Sequence, residues 1–168
     1  MDVAGSGEVN GFAQRRRARL AAALSGLDWL VAETCTSPAL SPDGATLAVV
    51  SDRDGTPGVW LIPLVQPGEP VRLDTGEDYV RVVSWSPDGE WLCLTTASGG
   101  GERTLVRALR PDGSDARVIA GTPAGMASIG CWQPGGHMVG LAESSASDPT
   151  SLDTYAVDVC SGRRRQLA

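Results

Sequence analysis

The side chains that could carry out covalent chemistry are few in this chain of 168 residues. It holds one histidine, His137, and four cysteines: Cys35, Cys93, Cys131 and Cys160. No two cysteines have C-x-x-C spacing, and a zinc site would need tighter clustering of its ligands. Cys93 and Cys131 stand in strand-like runs, where a buried thiol behaves as a small apolar side chain. We therefore predict structural thiols, which favour a reducing compartment, with disulfides or a metal as the alternatives.

Nucleophilic catalysis by serine would need a G-x-S-x-G elbow, and the sequence has none. Ser128 lies in GMASIG, which has a different spacing and stands at the start of a predicted strand. His137 lies in a predicted turn, where we expect an exposed side chain without the serine partner and orienting carboxylate of a general base. We predict no catalytic residue, no cofactor-binding residue and no metal ligand, and hence no cofactor.

Three polar segments have weaker functional interpretations. Ser51–Gly55 alternates carboxylates but lacks the third carboxylate position and distant glutamate of an EF-hand, so we predict a connection between strands. Gly99–Gly101 is predicted to be a loop tip and not a phosphate cradle, because no helix follows it. Arg163–Arg165 could bind an acidic partner, but its place in a hairpin favours a solvated position.

A repeat positions these residues. Each unit has a short apolar run, a tight turn (SPDG, SPDG, QPGG) and three further strands. The anchor prolines, spaced 45 and 47 positions apart, are Pro42, Pro87 and Pro134. The predicted second strands of the three units are Thr46–Val50, Trp91–Thr95 and Met138–Ala142. The predicted third strands are Val59–Leu64, Leu105–Leu109 and Thr154–Val159. The predicted last strands are Val71–Leu73, Arg117–Ala120 and Arg165–Leu167. Four antiparallel strands at a period near 45 are typical of a β-propeller blade.

The predicted fold class is therefore all-β: a partial β-propeller of three four-stranded antiparallel blades, over residues 34–78, 79–124 and 125–168. The unbroken apolar run from Leu47 to Val50 requires cover on both faces, which neighbouring blades provide. The last strands carry arginines that we expect near solvent: Arg72, Arg117 and Arg165. A β-sandwich is the alternative, but it would not require the turn to recur in each unit.

Residues 1–33 are predicted to be a polar N-terminus followed by a short amphipathic helix from about residue 12 to residue 25. Leu20, Leu24 and Leu27 follow helical spacing, and Gly26 can end the helix. An export signal is one alternative, although Asp28 interrupts the apolar stretch and no clean cleavage site follows. An interaction tail that uses the basic residues of Arg15–Arg19 is the other.

The units SPDGATLAVVSDRDG and WSPDGEWLCLTTASGG resemble the WD-like repeats of the TolB-type propeller and of the prolyl oligopeptidase family. Trp60 and Tyr155 occupy the aromatic place of the third strand, and Val106 departs from it. The third turn departs as well, at Gln133 and Gly135. The resemblance covers about residues 34–168, and the absence of a convincing export signal favours the peptidase side, among acylaminoacyl-peptidase and dipeptidyl-peptidase-like members.

That resemblance implies a propeller that gates a C-terminal α/β-hydrolase domain, which supplies the Ser–Asp–His triad and receives the peptide substrate. The chain would then be an N-terminal segment without the triad and inactive alone. The second hypothesis is a non-catalytic, TolB-like propeller that binds a protein partner. The resemblance indicates a blade more specifically than a reaction.

Composition limits the partners further. The chain has 20 acidic and 14 basic residues, and this net charge of -6 argues against non-specific nucleic-acid binding. No apolar run approaches the ~20 residues of a membrane span, so no membrane partner is predicted. We expect a cytoplasmic location in preference to a periplasmic or secreted one.

Three blades are fewer than the roughly four to eight that close a propeller. We therefore expect further blades or a hydrolase domain to complete the assembly, so that the chain is a fragment. A homodimer of half-propellers and a degenerate reading frame are the alternatives. The isolated chain is expected to self-associate, because an uncovered blade face leaves an apolar patch.

Overall fold

The computed structural model describes residues 33–65, 68–76, 78–144, 148 and 150–167. The strands in these ranges are β1 (Cys35–Leu40), β2 (Thr46–Ser51), β3 (Gly58–Pro63), β4 (Val71–Arg72), β5 (Tyr79–Trp85), β6 (Leu92–Ala97), β7 (Thr104–Leu109), β8 (Arg117–Ala120), β9 (Ala127–Trp132), β10 (Met138–Ser144), β11 (Leu152–Asp158) and β12 (Arg164–Gln166). A 3-10 turn, Ser98–Gly100, separates β6 from β7.

These strands form three four-stranded antiparallel sheets in the orders β1-β2-β3-β4, β5-β6-β7-β8 and β9-β10-β11-β12. We call them blade one, blade two and blade three. The predicted all-β partial propeller is confirmed. The predicted N-terminal helix lies outside the described residues. Within the described ranges, no helix has the length and hydropathy of a membrane span.

Blade two is the centre of the packing. Its strand β6 is buried along its whole length, with Leu92 and Leu94 in the apolar core shared with blade one and Cys93 in the core shared with blade three. Successive side chains of a strand point to opposite faces, so both faces of β6 meet a neighbouring blade. This placement explains why β6 does not alternate apolar and polar residues.

The first turn shows why the SPDG motif is suited to its place. Ser41 Oγ donates a hydrogen bond to Asp43 Oδ1 at 2.6 Å and accepts one from the Thr46 backbone N–H at 2.9 Å. Asp43 Oδ1 also accepts from the Ala45 N–H at 3.0 Å. Gly44 has a positive φ of 71°, which glycine adopts without a steric cost. The motif therefore satisfies its own backbone while it reverses the chain.

The second turn repeats these side-chain hydrogen bonds at Ser86 and Asp88, and the third turn keeps only the backbone bond that all three turns share. In QPGG the Gly136 N–H donates to the Gln133 carbonyl oxygen at 3.3 Å, and the positive φ of 68° has moved to Gly135. A positive φ at the third turn residue is the type II arrangement. The departure seen in the sequence is therefore a change of turn type, with no side-chain carboxylate.

The outermost strands are exposed as predicted at Arg72 and Arg165, and the prediction for Arg117 is wrong. Arg117 is half-buried because its guanidinium lies over the Trp91 ring, 4.6 Å from the centroid, and donates to the Val159 carbonyl oxygen of blade three. Stacking on an aromatic face lets an arginine bury its planar group, and here a terminal N–H group of Arg117 finds an acceptor in blade three.

Candidate functional site

His137 lies in the third turn, but its side chain is half-buried where the sequence predicted an exposed one. Its Nδ1 atom is 2.7 Å from Asp88 Oδ2, in the second turn of the neighbouring blade. The two atoms lack the alignment of a hydrogen bond, so the contact is electrostatic. Glu90 lies beside them, and one ligand atom from each of the three side chains falls within 4.8 Å of the others.

The order of side chains at this cluster does not suit a serine hydrolase. Ser86 Oγ donates to Asp88 Oδ1 at 2.5 Å, and His137 contacts the other carboxylate oxygen. A catalytic triad needs the imidazole between the serine and the carboxylate. Ser86 is also completely buried, whereas Ser128 lines the outer surface of blade three. These contacts describe a junction between blades and not a nucleophile with its base.

The carboxyl group of Asp88 is held in its ionised form. Partial burial opposes ionisation, but hydrogen bonds from Ser86 Oγ and the Glu90 backbone N–H, together with the nearby His137, lower its pKa below the ordinary value. Arg110 neutralises Glu90 from the other side, with 2.9 Å between Nη1 and Glu90 Oε2. Each of the two carboxylates therefore faces a basic side chain where the turns of blades two and three meet.

The loop Ser51–Gly55 is a polar turn between β2 and β3. The Thr34 backbone N–H donates to Asp52 Oδ1 at 2.7 Å, and Arg53 lies over the Trp60 ring at 4.6 Å from its centroid. Asp52 therefore accepts a backbone hydrogen bond that fixes the entry to β1. This arrangement agrees with a structural connection and not with a cation loop.

Gly99–Gly101 offers carbonyl groups to a cation. Arg81 Nη2 donates to the carbonyl oxygens of Gly100 and Gly101, at 3.2 and 2.7 Å. A phosphate cradle needs converging backbone N–H groups, but the backbone atoms that contact Arg81 here are carbonyl oxygens, which are acceptors. The segment closes the end of blade two, as a loop tip does.

The basic hairpin 163–165 is exposed, and its central residue is engaged. Arg164 lies over the Tyr155 ring at 4.1 Å and reaches Glu143 Oε1 at 2.5 Å. Glu143 also accepts a hydrogen bond from the Gly121 backbone N–H, at 2.8 Å. Arg164 thus supports a contact between blades two and three.

Cys93, Cys131 and Cys160 are free thiols. Cys93 is buried as predicted, and burial raises the pKa of its thiol to about 12. The prediction of a buried thiol is wrong for Cys131, which is exposed on β9. Cys131 is exposed because it faces outward from blade three, where no described strand packs on it.

Two tryptophans join each blade to the one before it. Trp85 Nε1 donates to the Ala39 carbonyl oxygen of blade one at 3.1 Å. Trp132 Nε1 donates to Ser84 Oγ of blade two at 3.0 Å. Both tryptophans stand two positions before the anchor proline, and both acceptors stand three positions before it. In blade three that acceptor position is Cys131.

The outer face of blade three carries a shallow, largely apolar groove of about 370 Å³. Its floor comes from β9, β10 and β11, and Leu167 closes one side. Strand register aligns three of its positions with residues of blade one: Gly140, Ala142 and Thr154 align with Ala48, Val50 and Val59. The groove exists because small residues stand where blade one has larger ones that pack against blade two.

Strand register also corrects the alignment of the third strands. Trp60 pairs with Val49 and Tyr155 pairs with Leu141, at equivalent places in their blades. The equivalent pair in blade two is Arg107 with Leu94. The residue at the aromatic place is therefore Arg107, which forms an ion pair with Asp78 at 2.9 Å, and not Val106.

No protein-family model matches the chain, but curated relatives exist for its sequence. An uncharacterised peptidase of Bacillus subtilis, YuxL, is 42% identical over 67 residues, which are 40% of this chain and 10% of that protein. Tricorn protease homolog 1 of Streptomyces coelicolor is 34% identical over 124 residues, 71% of this chain and 12% of that protein. Dipeptidyl aminopeptidase BIII of Pseudoxanthomonas mexicana is 31% identical over 133 residues, 76% of this chain and 19% of that protein. The chain spans a tenth to a fifth of the length of these peptidases.

Solved structures share the fold. A protein assigned as TolB from Agrobacterium tumefaciens superposes with a TM-score of 0.62 at 21% identity, over 80% of this chain and 49% of that one. A prolyl endopeptidase gives 0.60 at 16% identity, over 80% and 21%. A puromycin-hydrolysing peptidase of Mycobacterium tuberculosis gives 0.60 at 19% identity, over 80% and 20%. The resemblance to TolB-type and peptidase propellers is confirmed, and the sequence relatives are peptidases.

Proposed function

We propose that this chain is the propeller segment of a prolyl-oligopeptidase-like serine peptidase, in which it gates or shapes the access of peptide substrates to a hydrolase domain. The observation that carries the proposal is the matched region itself, a short propeller segment within much larger peptidases. The sequence supplies no G-x-S-x-G elbow, so the nucleophile comes from the remainder of the assembly. We also propose a reducing, cytoplasmic compartment, which the free thiols of Cys93, Cys131 and Cys160 support.

The groove on blade three supports a further blade as the neighbour of this segment. Its lining strands are the counterparts of those that blade two covers on blade one. Gly140 and Ala142 leave room for larger side chains from the next blade. Burial of such side chains contributes roughly 25 cal/mol per Å² of apolar area removed from water. Cys131 lies where that blade would place its tryptophan.

Activity tests the gate directly. The coding sequence beyond codon 168 is read, and the α/β-hydrolase domain that it encodes is prepared with and without this segment. We expect the assembly to cleave a short aminoacyl chromogenic substrate and to spare an unfolded polypeptide such as casein, whereas the hydrolase domain alone cleaves both. The 168-residue chain alone should cleave neither. Equal ratios of casein to short-substrate cleavage with and without the segment would contradict gating.

Thiol labelling tests the position of the next blade. In the assembly, Cys131 should be protected from a maleimide reagent, while Cys160 in the exposed hairpin of blade three stays reactive. A matched pair of variants extends this test: Leu167→Asp in the groove should restore labelling of Cys131, and Leu152→Asp outside it should not. The two leucines are comparably exposed, at 54% and 59%. Unprotected Cys131 in an active assembly would place the next blade elsewhere.

The second candidate function is a non-catalytic, TolB-like propeller that binds a protein partner and is completed by oligomerisation. The superposition on the protein assigned as TolB favours it. In this case no hydrolase would be encoded beyond codon 168, and sedimentation would show a homodimer that Leu167→Asp dissociates.

A further inference from the structure

We propose that Asp88, Glu90 and His137 form a binding site for a divalent metal ion of the Zn²⁺ type, which joins blade two to blade three. Two of the ligands come from the second turn and the third comes from the next blade. The sequence prediction of no metal ligand considered spacing along the chain. The cluster arises from packing between residues that lie 49 positions apart.

The donor atoms are available in this arrangement. Asp88 Oδ1 accepts hydrogen bonds from Ser86 Oγ and from the Glu90 backbone N–H, so the turn fixes the carboxylate and leaves Oδ2 facing His137. His137 Nδ1 is a buried atom without an aligned hydrogen-bond partner. A metal ion would take the place of the proton between this nitrogen and Asp88 Oδ2, because metal ligation uses the lone pair of the deprotonated ring nitrogen.

Glu90 provides the third ligand, and Arg110 is arranged to release it. Arg110 contacts Glu90 at 2.9 Å, but it also lies 4.1 Å from the centroid of the Trp91 ring and 3.4 Å from Asp115. The guanidinium therefore keeps two favourable contacts when Glu90 turns to the metal. The ligand atoms lie within 4.8 Å of one another, so small side-chain rotations reach metal–ligand distances of ~2.0–2.2 Å.

The donor chemistry selects the ion. One imidazole nitrogen and two carboxylates suit Zn²⁺ and related first-row metals, whereas Ca²⁺ prefers oxygen ligands only. Three protein ligands leave the fourth tetrahedral position for water. Since the ligands belong to two blades, a bound ion would stabilise the contact between them.

The first turn provides a natural control. Asp43 has the same hydrogen bonds to its serine and its backbone as Asp88, but Ala45 stands at the position of Glu90. Asp43→Asn therefore changes an equivalent turn without removing a proposed ligand. Asp88→Asn changes both the turn and the site.

Calorimetric titration of the full 168-residue chain with Zn²⁺ tests the proposal, in a background in which the three exposed cysteines are replaced by serine. We expect one ion per chain, and an affinity that falls at least ~10-fold in His137→Ala and in Glu90→Gln but not in Asp43→Asn. Glu90 is exposed, so Glu90→Gln leaves the fold intact even if another variant does not.

Stability gives a second readout. Saturating Zn²⁺ should raise the midpoint of thermal unfolding of the cysteine-replaced chain, because an ion that binds only the folded state stabilises it. The shift should disappear in His137→Ala. No stoichiometric Zn²⁺ binding, equal affinity in His137→Ala and Glu90→Gln, or Ca²⁺ binding in preference to Zn²⁺ would each overturn the proposal. These outcomes are independent of peptidase activity.

Discussion

Blade two and its two neighbours share one strand pattern and differ in what covers them. Strand β6 of blade two is buried at every residue, while the equivalent strands, β2 of blade one and β10 of blade three, are each only partly buried. The outer face of blade three also carries small residues, at positions where blade one has larger residues that pack against blade two. The difference teaches that a blade is stabilised mainly by its neighbours and only partly by its own strands.

The largest effect is expected for Leu94→Ala, which should lower the free energy of unfolding by about 2–5 kcal/mol. Leu94 is 0% exposed and packs in the core between blades one and two. The matched change Leu40→Ala, at a leucine that is 56% exposed on blade one, should alter it by no more than about 0.5 kcal/mol. Urea unfolding followed by circular dichroism measures both. Equal losses would mean that the face around Leu40 is covered in solution.

A smaller effect is expected from the turn serines. Ser86→Ala and Ser41→Ala should each cost roughly 1–3 kcal/mol, because a buried backbone N–H loses its acceptor. The same measurement on Gln133→Ala should give a change within about 0.5 kcal/mol, since this side chain is exposed and the third turn is closed by the backbone bond that all three turns share. A cost at Gln133 that matches the cost at Ser86 would contradict the distinction between the turn types.

The smallest effect concerns acid. The hydrogen bond from Ser41 lowers the pKa of Asp43, and the backbone N–H of Ala45 adds to this. The folded state therefore binds fewer protons than the unfolded state between the two pKa values, and stability is lost as the pH falls below about 3.9. The third turn has no such carboxylate. Asp43→Asn should flatten the acid side of the stability curve, as measured by urea unfolding between pH 6 and pH 2.5; superimposable curves would rule out this contribution.

The strands could be predicted closely because the turns mark them. The predicted strand Thr46–Val50 extends to Ser51 in the structure, and the predicted Leu105–Leu109 begins at Thr104. The first strand of blade one is longer than the short apolar run that the sequence predicts. It begins at Cys35 with exposed residues, and its register is irregular between Thr36 and Ala39. An irregularity of this kind breaks the alternation that identifies a strand.

The candidate site could not be predicted, because it depends on the packing between blades. His137 and Asp88 approach each other only when two turns of different blades are placed side by side. The equivalence of Arg107 to Trp60 and Tyr155 could not be predicted for a different reason. The loops between the second and third strands vary in length, so counting from the anchor proline misaligns the third strand. The pairing of Arg107 with Leu94 gives the correct alignment.

The tryptophan bonds between blades also give the structure a direction. In both, the donor belongs to the later blade and the acceptor to the earlier one: Trp85 to Ala39, and Trp132 to Ser84. During synthesis the acceptor therefore leaves the ribosome first and is in place when its donor follows, as suits a protein made from its N-terminus. This polarity is compatible with blade two docking on blade one, and blade three on blade two, in the order of their synthesis. In blade three, Cys131 stands at the position equivalent to these two acceptors.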